Sequence, residues 1–416
     1  MAPHQATFLL LDLALILLIS RVFGTLAGRF GQPAVIGEVI GGILAGPTLL
    51  GSDLSTALFP TDVRPFLTGL ANIGVAIFMF MVGLEVNRKA MRGQGPIAVT
   101  VSLSSILLPL GLGVALATFL WTRHPGEHRL GFLLFVGAAM SVTAFPVLAR
   151  ILTDRGLSRT PLGGLALACA AVDDVLAWTL LAGVIAIAGT GSSDQLLLLM
   201  VVPYLGVMLG VVRPLLRRIL SPSAVLTPGL LATVFIGALL SGAATEWMGL
   251  HFLFGAFLFG VLVPREGTER LRGDILGSVE RFNGTLLLPV FFVVAGFKVN
   301  LSGIGAGGLV EFALILLVAI TGKFGGAYAA ARLHGLPARR SAMLATLLNT
   351  RGLTELIILS VGLQLALLDQ ELYSMMVAMA VITTAMAGPL LRIWHRDADN
   401  APDPLPEPLT AAGRPA

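Results

Sequence analysis

The stretch "PLGGLALACAAVDDVLAWTLLAGVIAIAG", residues 161–189, carries two charged side chains, Asp173 and Asp174, and they are neighbours. Everything else in it is apolar, small or weakly polar. Wound as an α-helix at 1.5 Å per residue, it is long enough to cross the roughly 30 Å hydrocarbon core of a bilayer. A charged residue at mid-bilayer costs about 2.5–3.5 kcal/mol on insertion scales, so a span bearing two aspartates needs a partner or a wet cavity for them. The stretch therefore predicts a membrane helix with chemistry in its middle.

The rest of the chain agrees with that class. Its 416 residues are 56% hydrophobic and 12% charged, with a mean hydropathy of +0.90. A soluble chain carries about 25% charged residues, so an ordinary soluble domain is excluded. Forty-nine glycines suit helices packed closely in lipid. The single cysteine, Cys169, excludes an internal disulfide framework. A formal charge of +4 does not call for nucleic acid, because the basic residues cluster in short loops between apolar runs. The first run, about 6–23, has no Lys or Arg before Arg21 and so lacks a signal peptide's basic region. It is expected to be a retained span with the N-terminus outside.

Thirteen apolar runs fall at about 6–26, 33–47, 65–84, 96–121, 130–152, 161–189, 195–215, 226–246, 249–264, 281–298, 308–331, 338–363 and 371–394. If the N-terminus is outside, 21 of the 27 basic residues face the cytoplasm and four, Arg64, Arg123, Arg129 and Lys298, face outward. Lys323 and Arg351 lie inside spans. That asymmetry follows the positive-inside rule and expects a cytoplasmic C-terminus. Thirteen spans divide as six, a linker and six, which gives the halves opposite orientations, as in carriers built from inverted repeats. Residues 397–416 read as a short disordered tail on a single transmembrane domain, residues 1–396. "GIGAGG", residues 303–308, matches a dinucleotide-binding pattern but precedes an apolar span without an acidic residue at the ribose distance. It is read as a flexible outer loop, and no nucleotide-binding domain is expected in this chain.

Five ionisable residues are read as lying well inside spans: Asp173, Asp174, Lys323, Arg351 and, nearer one end, Glu355. A buried ion pair that only fixes helix register explains two charges, yet seldom needs a second carboxylate. Successive helical residues point about 100° apart, so Asp173 and Asp174 cannot both face one partner. Only three of the basic residues are lysines, Lys89, Lys298 and Lys323, and the last stands alone in mid-span. "SVTAFPVLARIL", residues 141–152, places Thr143 before Pro146, which predicts a broken helix whose freed carbonyls and hydroxyl suit a monovalent cation. "NTRGLTEL", residues 349–356, supplies a second break, with Asn349, Thr350 and Thr354 to satisfy freed backbone groups and Gly352 to loosen it. The two breaks fall in the fifth span of each half.

"SVTAFPVLARILTDRGL", "AAVDDVLAW", "LLPVFFVVAGFKVN" and "NTRGLTELI" resemble, in order, the signature segments of the monovalent cation:proton antiporter-2 family. The last three are especially similar to its potassium/proton branch and bacterial relatives. The resemblance implies a sodium/proton-antiporter-like all-α fold of about 13 helices with two crossed broken helices, working as a homodimer in a bacterial inner membrane. It implies a scaffold (spans about 6–84 and 226–298) and a moving core (about 96–189 and 308–394), joined by the span at 195–215. Asp174 resembles the position that binds Na+ or K+ and a proton in turn, with Thr143 as a hydroxyl ligand. Asp173 resembles the position paired with a lysine, here Lys323, and Arg351 resembles a basic residue offsetting a helix end at the second break. The family's potassium/proton branch often has Asn-Asp where this chain has Asp173-Asp174, and the Asp-Asp form resembles electrogenic sodium/proton exchangers. No cofactor is implied; partners are membrane lipids, monovalent cations and protons, with a part in pH homeostasis. Glu85 and Lys298 also resemble family positions, but lie near span ends where snorkelling explains them. A sodium-coupled symporter of an organic anion on the same fold is the alternative. An intramembrane aspartyl protease needs its aspartates on separate helices and is disfavoured.

Overall fold

A computed structural model describes residues 3–85, 95–126, 128–157, 160–188, 200–220, 224–248, 251–302 and 304–395. Among the described residues every regular element is helical. The chain begins with α1 (Pro3–Arg29), α2 (Ala34–Ala45), α3 (Pro47–Leu58) and α4 (Arg64–Glu85), and continues with α5 (Gly95–Leu120), α6 (Arg129–Ser141), α7 (Phe145–Asp154) and α8 (Pro161–Ala188). A helix α9 (Val201–Val207) passes through a π-helical turn into α10 (Arg213–Ile219). Then come α11 (Pro228–Trp247), α12 (Phe252–Leu262) and α13 (Glu269–Phe282), the last running through a second π turn into α14 (Leu288–Phe297). The chain closes with α15 (Ala306–Leu333), α16 (Ala338–Leu348), α17 (Leu353–Gln364) and α18 (Gln370–His395).

These helices pack as two groups. In one, α2 lies against α1 and α14, α4 against α12 and α14, and α11 against α12. In the other, α5 lies against α6, α8 and α15, α16 against α8, α15 and α18, and α17 against α6 and α18. The groups meet where α18 touches α2 and α17 touches α14. Small residues set the closest approaches. A Cβ on Gly83 of α4 would stand 2.2 Å from the Phe257 carbonyl oxygen, and one on Gly260 of α12 would stand 2.2 Å from that of Phe80. Neither helix could come as near with a side chain there. The outward faces keep leucine and isoleucine exposed, among them Leu10, Leu18, Leu107, Ile236, Leu240 and Leu317, as a lipid-facing surface requires.

Nine helices among the described residues are long and apolar enough to span a bilayer, or ten if the bent pair α16–α17 is one span. Among the described residues, length and composition alone support nine or ten of the thirteen runs read from the sequence. The run at 249–264 is an 11-residue helix, too short for 30 Å of hydrocarbon, and the run at 195–215 begins in residues outside those described. "GIGAGG" is half helix: α15 starts at Ala306 and takes in Gly307 and Gly308, while Gly303 lies outside the described residues. The expected tail at 397–416 also lies outside them.

Candidate functional site

Both expected breaks exist, and they cross. Helix α6 stops at Ser141 and α7 starts at Phe145, while α16 stops at Leu348 and α17 starts at Leu353, bent by 44°. Pro146 sits in the first turn of α7, where its missing N–H leaves no hydrogen bond unmade. The extended segments touch directly, with the Ala144 N–H donating to the Thr350 carbonyl at 3.2 Å. Gly352 permits the crossing, since a Cβ there would lie 2.4 Å from Cγ2 of Val147.

A broken helix leaves carbonyls unpaired at one stump and N–H groups at the other. Here two buried cations serve the stump of α6. The Arg351 guanidinium donates to Ala139 O at 3.2 Å and Met140 O at 2.7 Å, and Lys323 Nζ donates to Ser141 O at 2.5 Å. Arg351 thus offsets the negative end of the first broken helix, where the resemblance had put it at the second. Its charge is matched by Glu355, Oε1 lying 2.7 Å away one turn along α17. At the stump of α16, the Thr350 hydroxyl donates to Leu347 O at 2.7 Å, and Thr384 of α18 accepts the Arg351 N–H at 2.9 Å. Asn349 is buried there with its Oδ1 unpartnered among the described residues.

Asp173 and Asp174 receive opposite treatment. Asp173 is fully buried, with Lys323 Nζ 3.2 Å and the Thr143 hydroxyl 2.5 Å from Oδ2. The Ser105 hydroxyl lies 3.2 Å from the same oxygen, and Ser102 donates to Oδ1. Asp174 is also buried and takes the backbone N–H of Phe145, at the positive end of α7, yet its Oδ1 has no partner among the described residues. Glu85, at the exposed end of α4, is within electrostatic reach of it. The Thr143 hydroxyl, which the resemblance assigns to the ion beside Asp174, here serves Asp173 and the Leu348 carbonyl, 3.0 Å away.

The sequence reading missed Ser102 and Ser105. Their spacing puts both on one face of α5, and two hydroxyls one turn apart in an apolar span were the available signal. It also passed over Asp12 in α1, which is 1% exposed with neither oxygen hydrogen-bonded among the described residues, and Glu38 in α2, beside Ser20.

The model of the transmembrane sodium/hydrogen exchanger family matches residues 14–396. This chain belongs to that family. The exchanger is 41% identical to the Na(+)/H(+) antiporter NhaS4 of Synechocystis, over 94% of this chain and 98% of that protein. It is 36% identical to Cation/H(+) antiporter 18 of Arabidopsis thaliana over 94% of its own length, and spans 49% of that longer protein. The solved sodium proton antiporter MjNhaP1 from Methanocaldococcus jannaschii superposes with a TM-score of 0.64, covering 94% of this chain and 97% of its own at 15% identity, a likeness of fold. The exchanger is therefore an integral membrane transporter, not an enzyme, and its cargo is cations and protons with no cofactor.

Proposed function

We propose that this exchanger moves Na+ or K+ against protons by alternating access, with Asp174 holding the two cargoes in turn. The observation that carries the reading is the contrast between the aspartates. Asp173 already has a cation and three hydroxyls around it, whereas Asp174 keeps a buried oxygen with no partner among the described residues. An uncompensated carboxylate in low dielectric is costly, and either a proton or an alkali ion removes that cost. Competition for one site then couples the two flows, because only the occupied site crosses cheaply.

In this reading the group built on α5–α8 and α15–α18 is the moving core, and α1–α4 with α11–α14 form the scaffold of a homodimer. The crossed breaks, supported by Pro146, Asn349, Thr350 and Arg351, belong to inverted six-helix repeats within a thirteen-span chain. Lys323 and Asp173 form an ion pair that rearranges as cargo enters, freeing the Thr143 hydroxyl to join Asp174 around the ion. The loop charges favour an outer N-terminus and cytoplasmic C-terminus in a bacterial inner membrane. The test is purified protein in vesicles with an internal pH dye, given Na+, K+ and Li+ in turn. Asp174→Asn should abolish cation-driven proton movement while leaving the protein folded. Exchange at the wild-type rate by that variant would remove Asp174 from its role.

A further inference from the structure

A cavity of about 310 Å³ lies between the start of α4, the end of α14 and the start of α18. Arg64 and Thr68 line it from α4, Lys298 and Asn300 from just beyond α14, and Gln370 from α18. Two cationic side chains line it and, among the described residues, no carboxylate does. By the charge count only four basic residues belong to the outer side of this chain, and two of them share this one cavity.

Their partners set them apart from Arg123, another of the four. Arg123 is spoken for, its Nε 3.0 Å from the buried Glu311. Among the described residues Arg64 is anchored by backbone carbonyls, Nε donating to Phe59 O at 2.9 Å and an Nη lying 3.5 Å from Ser55 O. Asp12, buried in α1, is a carboxylate within its electrostatic reach. Lys298 is half-buried just beyond α14, with no carboxylate paired to it among the described residues. Asn300 lines the space with a donor to spare: its Oδ1 already accepts from the Ser302 N–H at 3.1 Å and hydroxyl at 2.6 Å, which leaves the amide NH2. Gln370 closes the wall by donating to the Lys298 carbonyl.

Such a cavity repels Na+ and K+, so it does not serve the cation route. Two charged donors and an amide instead match the oxygens of a phosphate. We infer that this cavity is an oxyanion site of phosphate chemistry, held between the Arg64 guanidinium and the Lys298 ammonium with the Asn300 amide donating. It lies at the seam between the two helix groups, since Gln370 belongs to one and Arg64 and Lys298 to the other.

The occupant can be a lipid headgroup phosphate or free phosphate, and two probes separate them. Protein in an uncharged detergent is titrated with inorganic phosphate, with chloride balancing ionic strength, and separately with phosphatidylglycerol against phosphatidylcholine. The readouts are melting temperature and direct binding of labelled phosphate or lipid. A wild-type response to phosphate alone assigns a free oxyanion, to phosphatidylglycerol alone a lipid, and to both a site open to either. Lys298→Gln and Arg64→Gln should each weaken the response about tenfold or more, as for loss of one charge-assisted hydrogen bond. Asn300→Asp, which places a negative charge in the wall while sparing both cations, should do the same if a cation variant fails to fold. No response from the wild type, or an equal response from the wild type and all three variants, overturns the inference.

Discussion

Replacing Lys323 by methionine tests the ion pair at the centre of the site. At the observed 3.2 Å, two unit charges attract by about 5 kcal/mol at an effective dielectric constant of about 20. Removing one partner of a buried pair costs about 3–5 kcal/mol, mostly because the other charge is left uncompensated. Asp173 would keep the hydroxyls of Ser102, Ser105 and Thr143, so the lower end, about 3 kcal/mol, is expected for Lys323→Met. Asp173→Asn should cost a similar amount, because Lys323 would retain only the Ser141 carbonyl among these partners. The double variant leaves no buried charge at the pair and should fall below either single one, for a coupling of about 3 kcal/mol or more. The assay is thermal unfolding of purified protein followed by tryptophan fluorescence, at about 2 °C or more per kcal/mol. Additive losses in the double variant would refute the reasoning, since they would mean that the two charges do not sense each other.

The connection between α5 and α6 carries a second test. His124 is buried between Asp369, 2.5 Å from Nδ1, and Glu311, 3.1 Å from Nε2, which holds its pKa up at about 9, the Asp369 hydrogen bond contributing most. A raised histidine pKa stabilises fully below its ordinary 6.5 and loses that contribution as pH rises through 9. His124→Gln should therefore lower the melting temperature most at pH 6 and hardly at all above pH 9.5, with about 3 kcal/mol as the ceiling. A constant difference across that range would count against the clamp. Gly352→Ala forces a methyl to 2.4 Å from Val147, so it should cost about 1–3 kcal/mol by overpacking and depress exchange in the dye assay. Arg351→Met strips the α6 stump of two donors and leaves Glu355 buried alone. It should destabilise by about 3 kcal/mol or more, and Arg351→Met with Glu355→Gln should recover part of that in the same unfolding assay.

Hydropathy and residue order were enough to place this chain in a membrane, to locate both helix breaks, and to select Asp173, Asp174, Lys323 and Arg351 as the residues that need explaining. Those features are legible because each depends on a residue's own cost: a charge in hydrocarbon, a proline in a helix, a hydroxyl beside it. Partnership was not legible in that way. Helical periodicity fixes the direction of a side chain about its own axis and says nothing about which helix stands there. So Asp173 met Ser102 and Ser105 from an unmarked face of α5, and Thr143 turned to Asp173 instead of Asp174. Arg351 crossed to the stump of α6 because the two breaks interlock and bring that helix's free carbonyls within reach. The sequence by itself determined which groups had to be compensated. Only the tertiary structure decided which of them were, and it left one oxygen of Asp174 open, because compensation depends on neighbours far apart in the chain.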